Sequence, residues 1–406
     1  MFENGKWRIR EPEEHLFSTV FAGDICPGDK LDFTSREKVS ETMKNIKPFL
    51  SQGDLNLVQW ETPLASKEDP IMKSGPNLNS TPGSEQIIVQ AGFHVALLAN
   101  NHTGDHGPEN VMETIRILKK AGLQTVGAGR NLREANSPLE LERAGKKIQI
   151  FNFAEHEFGI AGPEKAGTAP IDPVSNLQAV RKAAAECDFV IVVLHGGHEY
   201  NPFPSPRMIE FYRALADAGA SAVFGCHTHC PEAVEFHNGT PIVYSPGNFY
   251  FPKIESRMKV WNTGYLTLCR FDSKGVYEME LLPVRFDREH VFPLNEEGKK
   301  LFFKYMEKLR APLNDPEKIR ALFENWSMKI GYNYLKGSLG CVPEKWYETY
   351  TAHDTAANMM HLRNLFTCEA HQDIIRTLLC LIEEGRTEEA RGLIDEIEAF
   401  QSPEWM

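Results

Sequence analysis

The alternation of short apolar runs with helical segments constrains the fold of this chain more than any other feature of its sequence. Five runs are apolar over most of their length, as strands buried on both faces of a sheet are; these are LFSTVFAG, LNLVQW, HVALLA, FVIVVLH and SAVFG. The helical patterns between them cover roughly residues 36–50, 107–121, 176–186 and 205–218. Strands that alternate with helices from Leu16 to about Val284 predict an α/β architecture.

The second half of the chain changes first to antiparallel strands and then to helices. The stretch AVEFHNGTPIVYS has an Asn-Gly turn between two strand-like runs, and YLTLCRF and VYEMELLPV are joined across SKG; both patterns are typical of hairpins. Beyond about Leu294 the apolar period is helical, and Gly385 stands where one of the last helices would end. We therefore predict a domain over residues 1–294 and a separate helical region over residues 295–406 that docks on it.

Composition and charge exclude several classes of function. The 406 residues include 42% hydrophobic and 25% charged residues and carry a formal net charge of −12, which argues against binding to nucleic acid or to anionic membranes. An anionic substrate remains compatible, because bound cations reverse the local field. The chain has no apolar run of about 18 residues and no secretory pattern at its start, so we expect no membrane span. Eight cysteines in this setting predict reduced thiols and a cytoplasmic location.

Five groups of side chains that are able to bind metals follow apolar runs of the predicted sheet. They stand in FAGDIC, LVQWETP, LLANNHTGDHG, VVLHGGHEY and VFGCHTHC. The ligand crevice of an open α/β sheet lies at the carboxyl ends of its strands, so these groups are expected to meet at one edge. The residues expected to converge there are Asp24, Glu61, Asn101, His195, His227 and His229, and the same stretches also contain His102, Asp105, His198 and Glu199.

The types of side chain indicate which metals this crevice would hold. Imidazole, carboxylate and amide oxygen together suit Mn, Fe or Zn better than Ca or Mg. His227 and His229 are two positions apart, and in an extended segment such side chains point to the same side, where they would reach two different ions. Two divalent metal ions about 3.5–4 Å apart hold both the attacking and the leaving oxygen of a displacement, as in phosphatases and nucleases.

Each group also has a plainer interpretation when it is taken alone. An aspartate after a strand, such as Asp24, is commonly a turn or helix cap, and Glu61 before Thr-Pro fits a solvated strand end. Asn100 and Asn101 fit a turn, and His195 fits a buried core histidine. The CHTHC stretch fits a small structural zinc site, although its ligands are closer in sequence than is usual. The shared site is favoured because six of the fourteen histidines stand in three motifs that each follow a strand.

The ordered motifs GD, ETP, ANNHTGDHG, HGGHEY, GCHTH and IVYSPGNFYF resemble the CapA-like poly-gamma-glutamate capsule synthesis family, which is similar to the calcineurin-like metallophosphoesterases. The resemblance runs from about Val20 to Phe251 and leaves the C-terminal helices outside it. It implies a four-layer α/β/β/α sandwich of two sheets flanked by helices. It also implies a binuclear metal-dependent hydrolase that acts on a phosphoester or a glutamyl-type amide through a metal-bound hydroxide.

The same resemblance implies a role for each residue of the crevice. The first metal would be bound by Asp24 and His229, and Glu61 would bridge the two metals. The ligands of the second metal would be Asn101, His195 and His227.

His102 and Asp105 would serve the reaction rather than bind metal. By the resemblance, His102 is the neighbouring acid that stabilises charge on the leaving group. Neighbours on an extended stretch face opposite ways, so we expect His102 to lie beside the metals while Asn101 binds one. Asp105 is close enough in sequence to orient the imidazole through its second nitrogen.

The chain departs from the family's common pattern at several positions. Gln59 and Trp60 stand where the family commonly has Asn-Leu, and Cys226 and Thr228 stand where its last motif commonly has His and Pro. Cys26 occupies the place of a histidine of the wider superfamily. A thiolate at Cys26 would complete a site, whereas a buried thiol there would be structural.

Two classes of function remain open at this point. The first is the hydrolase, with a small-molecule or oligomeric anionic substrate. The alternative is a non-catalytic partner in capsule or polyglutamate biosynthesis that retains the metallophosphoesterase fold. In either case we expect Cys226 and Cys230 to be reduced thiols and neither to be a main metal ligand, because an extended segment holds them too far apart for a disulfide.

Overall fold

The computed structural model describes residues 2–3, 5–28, 36–252, 259–338 and 353–405, and within these residues the strands form two main sheets. The strands of the larger sheet are β1 (Phe2–Glu3), β2 (Lys6–Arg8), β3 (Phe17–Ile25), β4 (Leu55–Trp60), β5 (Val95–Leu97), β6 (Gln124–Val126), β15 (Asn248–Tyr250), β16 (Thr263–Asp272), β17 (Gly275–Phe286) and β18 (Val291–Pro293). The strands of the second sheet are β8 (Leu139–Arg143), β9 (Lys146–Ala154), β11 (Phe189–His195), β12 (Ala222–Cys226), β13 (Val234–His237) and β14 (Thr240–Val243). Two short strands, β7 (Ala128–Gly129) and β10 (Gly167–Thr168), pair with each other.

The middle of each sheet is parallel. In the larger sheet β3, β4, β5 and β6 are parallel neighbours, and in the second sheet β9, β11, β12 and β14 are. The two predicted hairpins are confirmed as the antiparallel pairs β13–β14 and β16–β17. Because parallel strands run in one direction, their carboxyl ends meet at a single edge of each sheet.

The two sheets pack face to face. Phe21 of β3 stacks on Phe224 of β12 with ring centroids 4.6 Å apart, and Phe17 meets Phe189 of β11 edge-on at 5.3 Å. Side chains of β3 alternate between two cores, since Phe17 and Phe21 lie between the sheets while Val20 lies in the core under the helices of the larger sheet. The four-layer α/β/β/α sandwich is therefore confirmed.

Helices cover the outer faces of both sheets and continue to the end of the chain. The helices before the last strand are α1 (Arg36–Thr42), α2 (Lys47–Leu50), α3 (Gln86–Ala91), α4 (Gly107–Lys120), α5 (Leu132–Ala135), α6 (Pro173–Glu186) and α7 (Pro206–Asp217). The C-terminal helices are α8 (Glu296–Arg310), α9 (Pro316–Ser338), α10 (His353–Thr367), α11 (Glu369–Glu383) and α12 (Ile394–Phe400). Short 3₁₀ segments span Lys259–Asn262, Ala311–Asn314 and Glu389–Arg391.

Two local predictions were incomplete. The single helix predicted over residues 36–50 is wrong in its middle, because α1 ends at Thr42 and α2 begins at Lys47; Pro48 lacks the N–H that a continuous helix would need there. The antiparallel pair β8–β9 was not predicted. Its turn is formed by Ala144 and Gly145, which both have positive φ, and a left-handed alanine gives no recognisable turn signal in a sequence.

The C-terminal helices share the core of the two sheets. Phe302 and Leu309 of α8, Trp326 of α9 and Ile374 of α11 belong to the same buried cluster as Phe224 between the sheets. The helices are therefore packed on the α/β part as the sequence predicted. In the part of the chain that the structure describes, no helix is both long and apolar enough to cross a membrane.

Gly385 ends α11 as the sequence predicted. Its φ is +68°, and the N–H of Arg386 donates to the carbonyl of Leu381 while the N–H of Gly385 donates to that of Ile382. This pair of bonds satisfies carbonyls that the end of a helix would otherwise leave unpaired.

Candidate metal centre

The parallel strands bring the five motifs to one edge, as their positions at strand ends require. Glu61 directly follows β4, His195 is the last residue of β11, and His227 directly follows β12. Asp24 is the second-to-last residue of β3, and Asn101 stands four residues after the end of β5. All these side chains are buried, so the crevice is formed where the two sheets face each other.

A β-bulge at Gly23 turns Asp24 into the crevice. Phe21 faces the core between the sheets and Ala22 faces the helices, so strict alternation would send Asp24 to the helix side. The register between β3 and β4 shifts between Ala22 and Asp24, which adds one residue to β3 and reverses the direction of Asp24. Gly23 is required there, since a Cβ atom would lie 2.1 Å from the carbonyl oxygen of Gly247.

One group of potential ligands surrounds His195. Its Nε2 atom lies 3.0 Å from Oδ1 of Asn101, 3.1 Å from Nδ1 of His227 and 3.7 Å from Oε1 of Glu61. Glu61, His195 and His227 offer ligand atoms that all lie within 4.8 Å of one another. Amide oxygen, imidazole nitrogen and carboxylate oxygen are a set that suits Mn, Fe or Zn.

The second group of potential ligands shares Glu61 with the first. Its members are Asp24, Glu61 and His229. Nε2 of His229 lies 3.9 Å from Oε1 of Glu61, and Nδ1 lies 3.9 Å from Oδ2 of Asp24. Two groups that share one carboxylate are the arrangement of a two-metal site.

The carboxylates of this crevice lack the partners that burial demands. Oδ1 of Asp24 and both carboxylate oxygens of Glu61 are buried, and none has a hydrogen-bond partner within the described ranges. Burial raises the pKa of Asp24 above its ordinary value, although His229 opposes this effect. Burial, together with the nearby Asp24, raises the pKa of Glu61 well above its ordinary value. Divalent cations would supply the missing partners, so these residues fit a metal site.

Burial favours the neutral form of two histidines of the crevice, His195 and His229, and the neutral form is the one that binds metals. Burial, reinforced by His227, lowers the pKa of His195 well below its ordinary value. Burial likewise lowers the pKa of His229 to about 3, although Asp24 opposes it. A neutral imidazole presents a free lone pair, whereas a protonated one would repel a cation.

His102 and Asp105 lie beside these groups and contact each other. Nδ1 of His102 donates to Oδ2 of Asp105 at 2.7 Å, and Nε2 of His102 lies 3.9 Å from Oε1 of Glu61. Lys73 donates to the other oxygen of Asp105 at 2.6 Å. Burial tends to raise the pKa of Asp105, but His102 and Lys73 outweigh it and lower that pKa. Asp105 is thus an anion that fixes the His102 ring with Nε2 towards the crevice.

The backbone around His227 and His229 is not the extended segment that was expected. The φ angles are +99° at His227 and +54° at His229, and nearby Tyr200 has +65°. Such conformations are strained for residues with a side chain and are characteristic of functional sites. The main-chain N–H of His227 donates to Oδ2 of Asp24 at 2.9 Å, which helps to hold the turn in place.

Two other metal-capable residues of the motifs belong to different surroundings. His198 is buried against the C-terminal helices, where Nε2 donates to the carbonyl of Ala370 at 2.9 Å and the ring packs on Phe323. Glu199 lines the cavity beside the crevice. Asn100 is a turn residue, since its Oδ1 accepts from the main-chain N–H groups of the two residues that follow Asn101.

The cysteines differ in their distance from the crevice. Cys226 and Cys230 are both free thiols, as predicted. Cys226 is closer than expected, because its sulfur lies 3.4 Å from Nδ1 of His195 and forms a third group with Asp24 and His195. Burial, with Asp24, raises the pKa of the Cys226 thiol well above its ordinary value. Burial also raises the pKa of Cys26 to about 12, so both thiols are protonated in this environment.

A cavity of about 1030 Å³ opens beside His102 and His229. Its wall includes the rings of Tyr200, Phe251 and Trp261, and Trp261 lies 4.6 Å from His229 between ring centroids. The cavity is large enough for a substrate of several residues or for a nucleotide-sized ester.

Three residues near the crevice were missed by the sequence reasoning. Asn248 accepts from Nδ1 of His229 at 2.8 Å, Lys73 holds Asp105, and Glu157 lies 3.7 Å from Nε2 of His227. Asn248 stands in the IVYSPGNFYF motif, which was a usable signal. Lys73 and Glu157 lie in loops without a motif, and only the fold brings them to the crevice.

This chain has a four-layer sandwich, and carboxylates, imidazoles and an amide lie together at the carboxyl ends of its strands. Proteins with this fold and this kind of site form the metallophosphoesterase-like class. Within that class, residues 18–253 match the family described as bacterial capsule synthesis protein PGA_cap. This segment is more than half of the 406 residues, and the chain belongs to that family.

Individual relatives are similar at a moderate level. "PGA biosynthesis protein CapA" of Bacillus subtilis (strain 168) is 26% identical over 298 residues, which cover 72% of this chain and 78% of the relative. "Capsule biosynthesis protein CapA" of Bacillus anthracis is 28% identical over 261 residues, with 62% of this chain and 64% of the relative covered. A "Probable polyglutamine synthesis accessory protein" of Mycobacterium tuberculosis is 27% identical over 296 residues, with 68% and 73% covered. The chain thus spans about two thirds of the Bacillus anthracis relative and somewhat more of the other two.

Proposed function

We propose that this protein is a binuclear metal-dependent hydrolase that acts on a phosphoester or a glutamyl-type amide. The observation that carries this proposal is Glu61, whose two buried carboxylate oxygens have no hydrogen-bond partner in the described chain and which belongs to both ligand groups. A buried, unpaired carboxylate is unfavourable by several kcal/mol unless a cation compensates it.

The residues would divide between two divalent ions, and their set of oxygen and nitrogen donors fits Mn, Fe or Zn. Asp24 and His229 would hold the first ion, and Glu61 would bridge to the second. The second ion would take Asn101, His195 and His227. When bound, such a pair supplies Lewis acidity to the scissile group and makes water a nucleophile at neutral pH.

His102 would supply the proton that the leaving group needs from Nε2 when both nitrogens of its ring are protonated, and the leaving oxygen or nitrogen would take that proton as its bond breaks. Its Nδ1–H is held by the Asp105 anion at 2.7 Å, so Nε2 points towards the crevice and the cavity. Lys73 donates to the second oxygen of Asp105 at 2.6 Å, so both oxygens of that carboxylate are held by hydrogen bonds. A positioned imidazole of this kind contributes about 10²–10⁴ to a rate.

The choice of substrate class is supported by the cavity and by the relatives. A volume of about 1030 Å³ beside the ligand groups accommodates a stretch of a polymer as well as a small ester. The relatives named for PGA, capsule and polyglutamine synthesis support a role in capsule or polyglutamate biosynthesis, in which an anionic oligomer is the substrate.

The experiment that tests the hydrolase combines metal loading with a substrate screen. The purified chain is stripped, reloaded with Mn, Fe or Zn, and assayed against phosphomonoesters, phosphodiesters and gamma-glutamyl peptides. We expect hydrolysis of one class, its loss on chelation and its loss in Asp24→Asn. Asp217→Asn is the matched control, because Asp217 is an exposed aspartate whose side chain contacts His237 and Asn238 rather than a residue of the crevice, and it is expected to keep full activity. Activity that survives both chelation and Asp24→Asn would contradict the proposal.

A second candidate function is a non-catalytic partner in the same biosynthesis. It is favoured by the word "accessory" in the name of the Mycobacterium tuberculosis relative. Such a protein would bind metals for structure and hydrolyse no member of the screen. In that case Asp24→Asn would lower the melting temperature of the metal-loaded protein without abolishing any turnover, which separates the two functions.

A further inference from the structure

We propose that Glu157 is a further residue of the metal centre, a positioning residue whose carboxylate orients the imidazole of His227 and which the C-terminal helix α10 holds in place. The inference rests on the metal centre of the proposed function. Glu157 lies between β9 and β10, outside the five motifs. Its side chain is 13% exposed, so it is largely enclosed.

The two ring nitrogens of His227 face different partners. Nδ1 lies 3.1 Å from Nε2 of His195, within the ligand group of Glu61 and Asn101. Nε2 lies 3.7 Å from Oε1 of Glu157. A histidine that binds a metal through one nitrogen is generally oriented by an acceptor at the other nitrogen, most often a carboxylate or a carbonyl. Glu157 stands where that acceptor belongs for His227.

The neighbouring ligand shows the same arrangement with a different acceptor. Nδ1 of His229 donates to Oδ1 of Asn248 at 2.8 Å, which leaves Nε2 for the group that contains Glu61. Each histidine of the CHTHC stretch therefore has one nitrogen in a ligand group and one oxygen atom beside the other nitrogen.

The loop that carries Glu157 is held from the C-terminal side by α10. Arg363 donates to the main-chain carbonyl of Glu157 at 2.7 Å and lies over the ring of Phe158 at 4.7 Å. The side-chain amide of Asn364 lies 3.4 Å from Oε2 of Glu157. These contacts fix both the main chain and the carboxylate of Glu157, and α10 lies outside residues 18–253 that match the family.

The same loop is fixed from the side of the metal motifs by two glycines. A Cβ atom on Gly104 would lie 2.5 Å from Cα of Gly159, and one on Gly159 would lie 2.9 Å from Cα of Gly104. Gly104 belongs to the motif that carries Asn101 and His102. The loop that carries Glu157 therefore packs against that motif on one side and against α10 on the other. These contacts fix the position of the Glu157 carboxylate relative to His227.

The first experiment measures the affinity of the metal-free, full-length protein for Zn²⁺ and for Mn²⁺ by equilibrium dialysis and calorimetry. Glu157→Gln is expected to weaken the binding of one of two ions about 10–100-fold, to leave the other ion unchanged and to keep the melting temperature of the metal-free protein. Glu157→Asp is expected to recover part of the loss. Glu164→Gln removes an exposed charge from the same loop and is expected to bind both ions normally.

The second experiment tests the contribution of α10 with Arg363→Ala, a change at an exposed side chain. We expect a smaller loss of affinity for the same ion and no further loss when it is combined with Glu157→Gln, because the two residues act as one unit. Arg320→Ala on the surface of α9 is the control.

Several results would overturn the inference. Unchanged affinity in Glu157→Gln would show that Glu157 does not orient a ligand, and additive losses in the double variant would show that α10 does not act through it. Binding of no metal by the wild type would also refute it. If Glu157→Gln weakens the binding of one ion and the protein hydrolyses no substrate, the inference about Glu157 holds and the proposed hydrolase is refuted.

Discussion

Asp24 and Glu61 place in the crevice three buried carboxylate oxygens that have no hydrogen-bond partner among the described residues. In a protein without metal this arrangement favours protonated acids, which is why burial raises the pKa values of both Asp24 and Glu61. Each ion that binds must displace such a proton. The crevice therefore links metal binding to pH in a direction that the structure fixes.

Metal uptake is expected to release protons and to tighten as the pH rises through the raised pKa of Glu61. The raised pKa of Glu61 keeps it protonated at low pH, whereas His229, whose pKa is about 3, is already neutral there. Calorimetry in buffers of different ionisation enthalpy measures the number of protons released. An enthalpy that does not depend on the buffer would show that Glu61 and Asp24 are not the groups that bind the ions.

His102→Ala is expected to lower turnover by about 10²–10⁴ while metal content stays at the wild-type level. The reason is that His102 is held by Asp105 and lies beside Glu61 but is a member of neither ligand group. Metal analysis and steady-state kinetics on the same preparation check both halves. His290→Ala, at a partly exposed site in a surface turn, should leave both unchanged. If His102→Ala binds one metal ion fewer than the wild type, His102 is a metal ligand and the assigned role is wrong.

The elements around the crevice are shaped by small departures from regular structure. The bulge at Gly23 reverses Asp24, and the positive φ angles at His227 and His229 aim two rings that a regular strand end would place differently. These departures cost conformational energy. They persist because the surrounding packing holds the backbone in these conformations.

Gly23→Ala is expected to destabilise the protein by about 1–3 kcal/mol and to weaken metal binding. The new methyl group would meet the carbonyl of Gly247 at 2.1 Å, so β3 and β15 would separate and Asp24 would move. Gly162→Ala is the matched control, with its Cβ atom 3.4 Å from that of Lys165, and should change stability by no more than about 0.5 kcal/mol. Chemical denaturation and metal titration check both effects, and a Gly23→Ala protein with normal stability would refute the role of the bulge.

At the scale of elements, the sequence predicted the central strands because burial on both faces leaves a long apolar run. It also predicted that the motifs would meet, because each follows such a run. It could not predict the bulge, because no sequence pattern distinguishes Gly23 from other glycines near strand ends. It could not place Lys73 or Glu157 either, because their contacts with Asp105 and His227 join distant parts of the chain.

One of the two buried cores of the molecule crosses the predicted boundary at residue 294. Phe302, Leu309 and Trp326 of the C-terminal helices lie in the same cluster as the side chains between the sheets. Loops of the crevice also depend on these helices, since Gln401 donates to the carbonyl of Tyr200 at 2.7 Å and His198 contacts Ala370. The division into residues 1–294 and 295–406 as separate domains thus remains a prediction. Side-chain packing continues across the boundary between them.

A chain that ends at residue 294 is expected to lose cooperative unfolding and to expose apolar surface. The removed helices contribute Phe302, Leu309 and Trp326 to the buried cluster, and exposing the apolar side chains packed against them costs about 25 cal/mol for each Å² of apolar area. Thermal unfolding and binding of an apolar dye, compared with the full chain, measure the effect. A shortened chain that melts as sharply and at the same temperature would show that residues 1–294 fold alone.

The number of metal ions that each chain binds at saturation tests the two-metal centre most directly. Wild-type protein dialysed against Mn²⁺ or Zn²⁺ and analysed by mass spectrometry is expected to hold two ions, as two groups that share Glu61 require. His227→Ala and His229→Ala should each retain one ion, and Glu61→Gln should retain less than one because it belongs to both groups. A wild-type chain that saturates at a single ion, or a Glu61→Gln chain that still binds two, would contradict the two-metal centre.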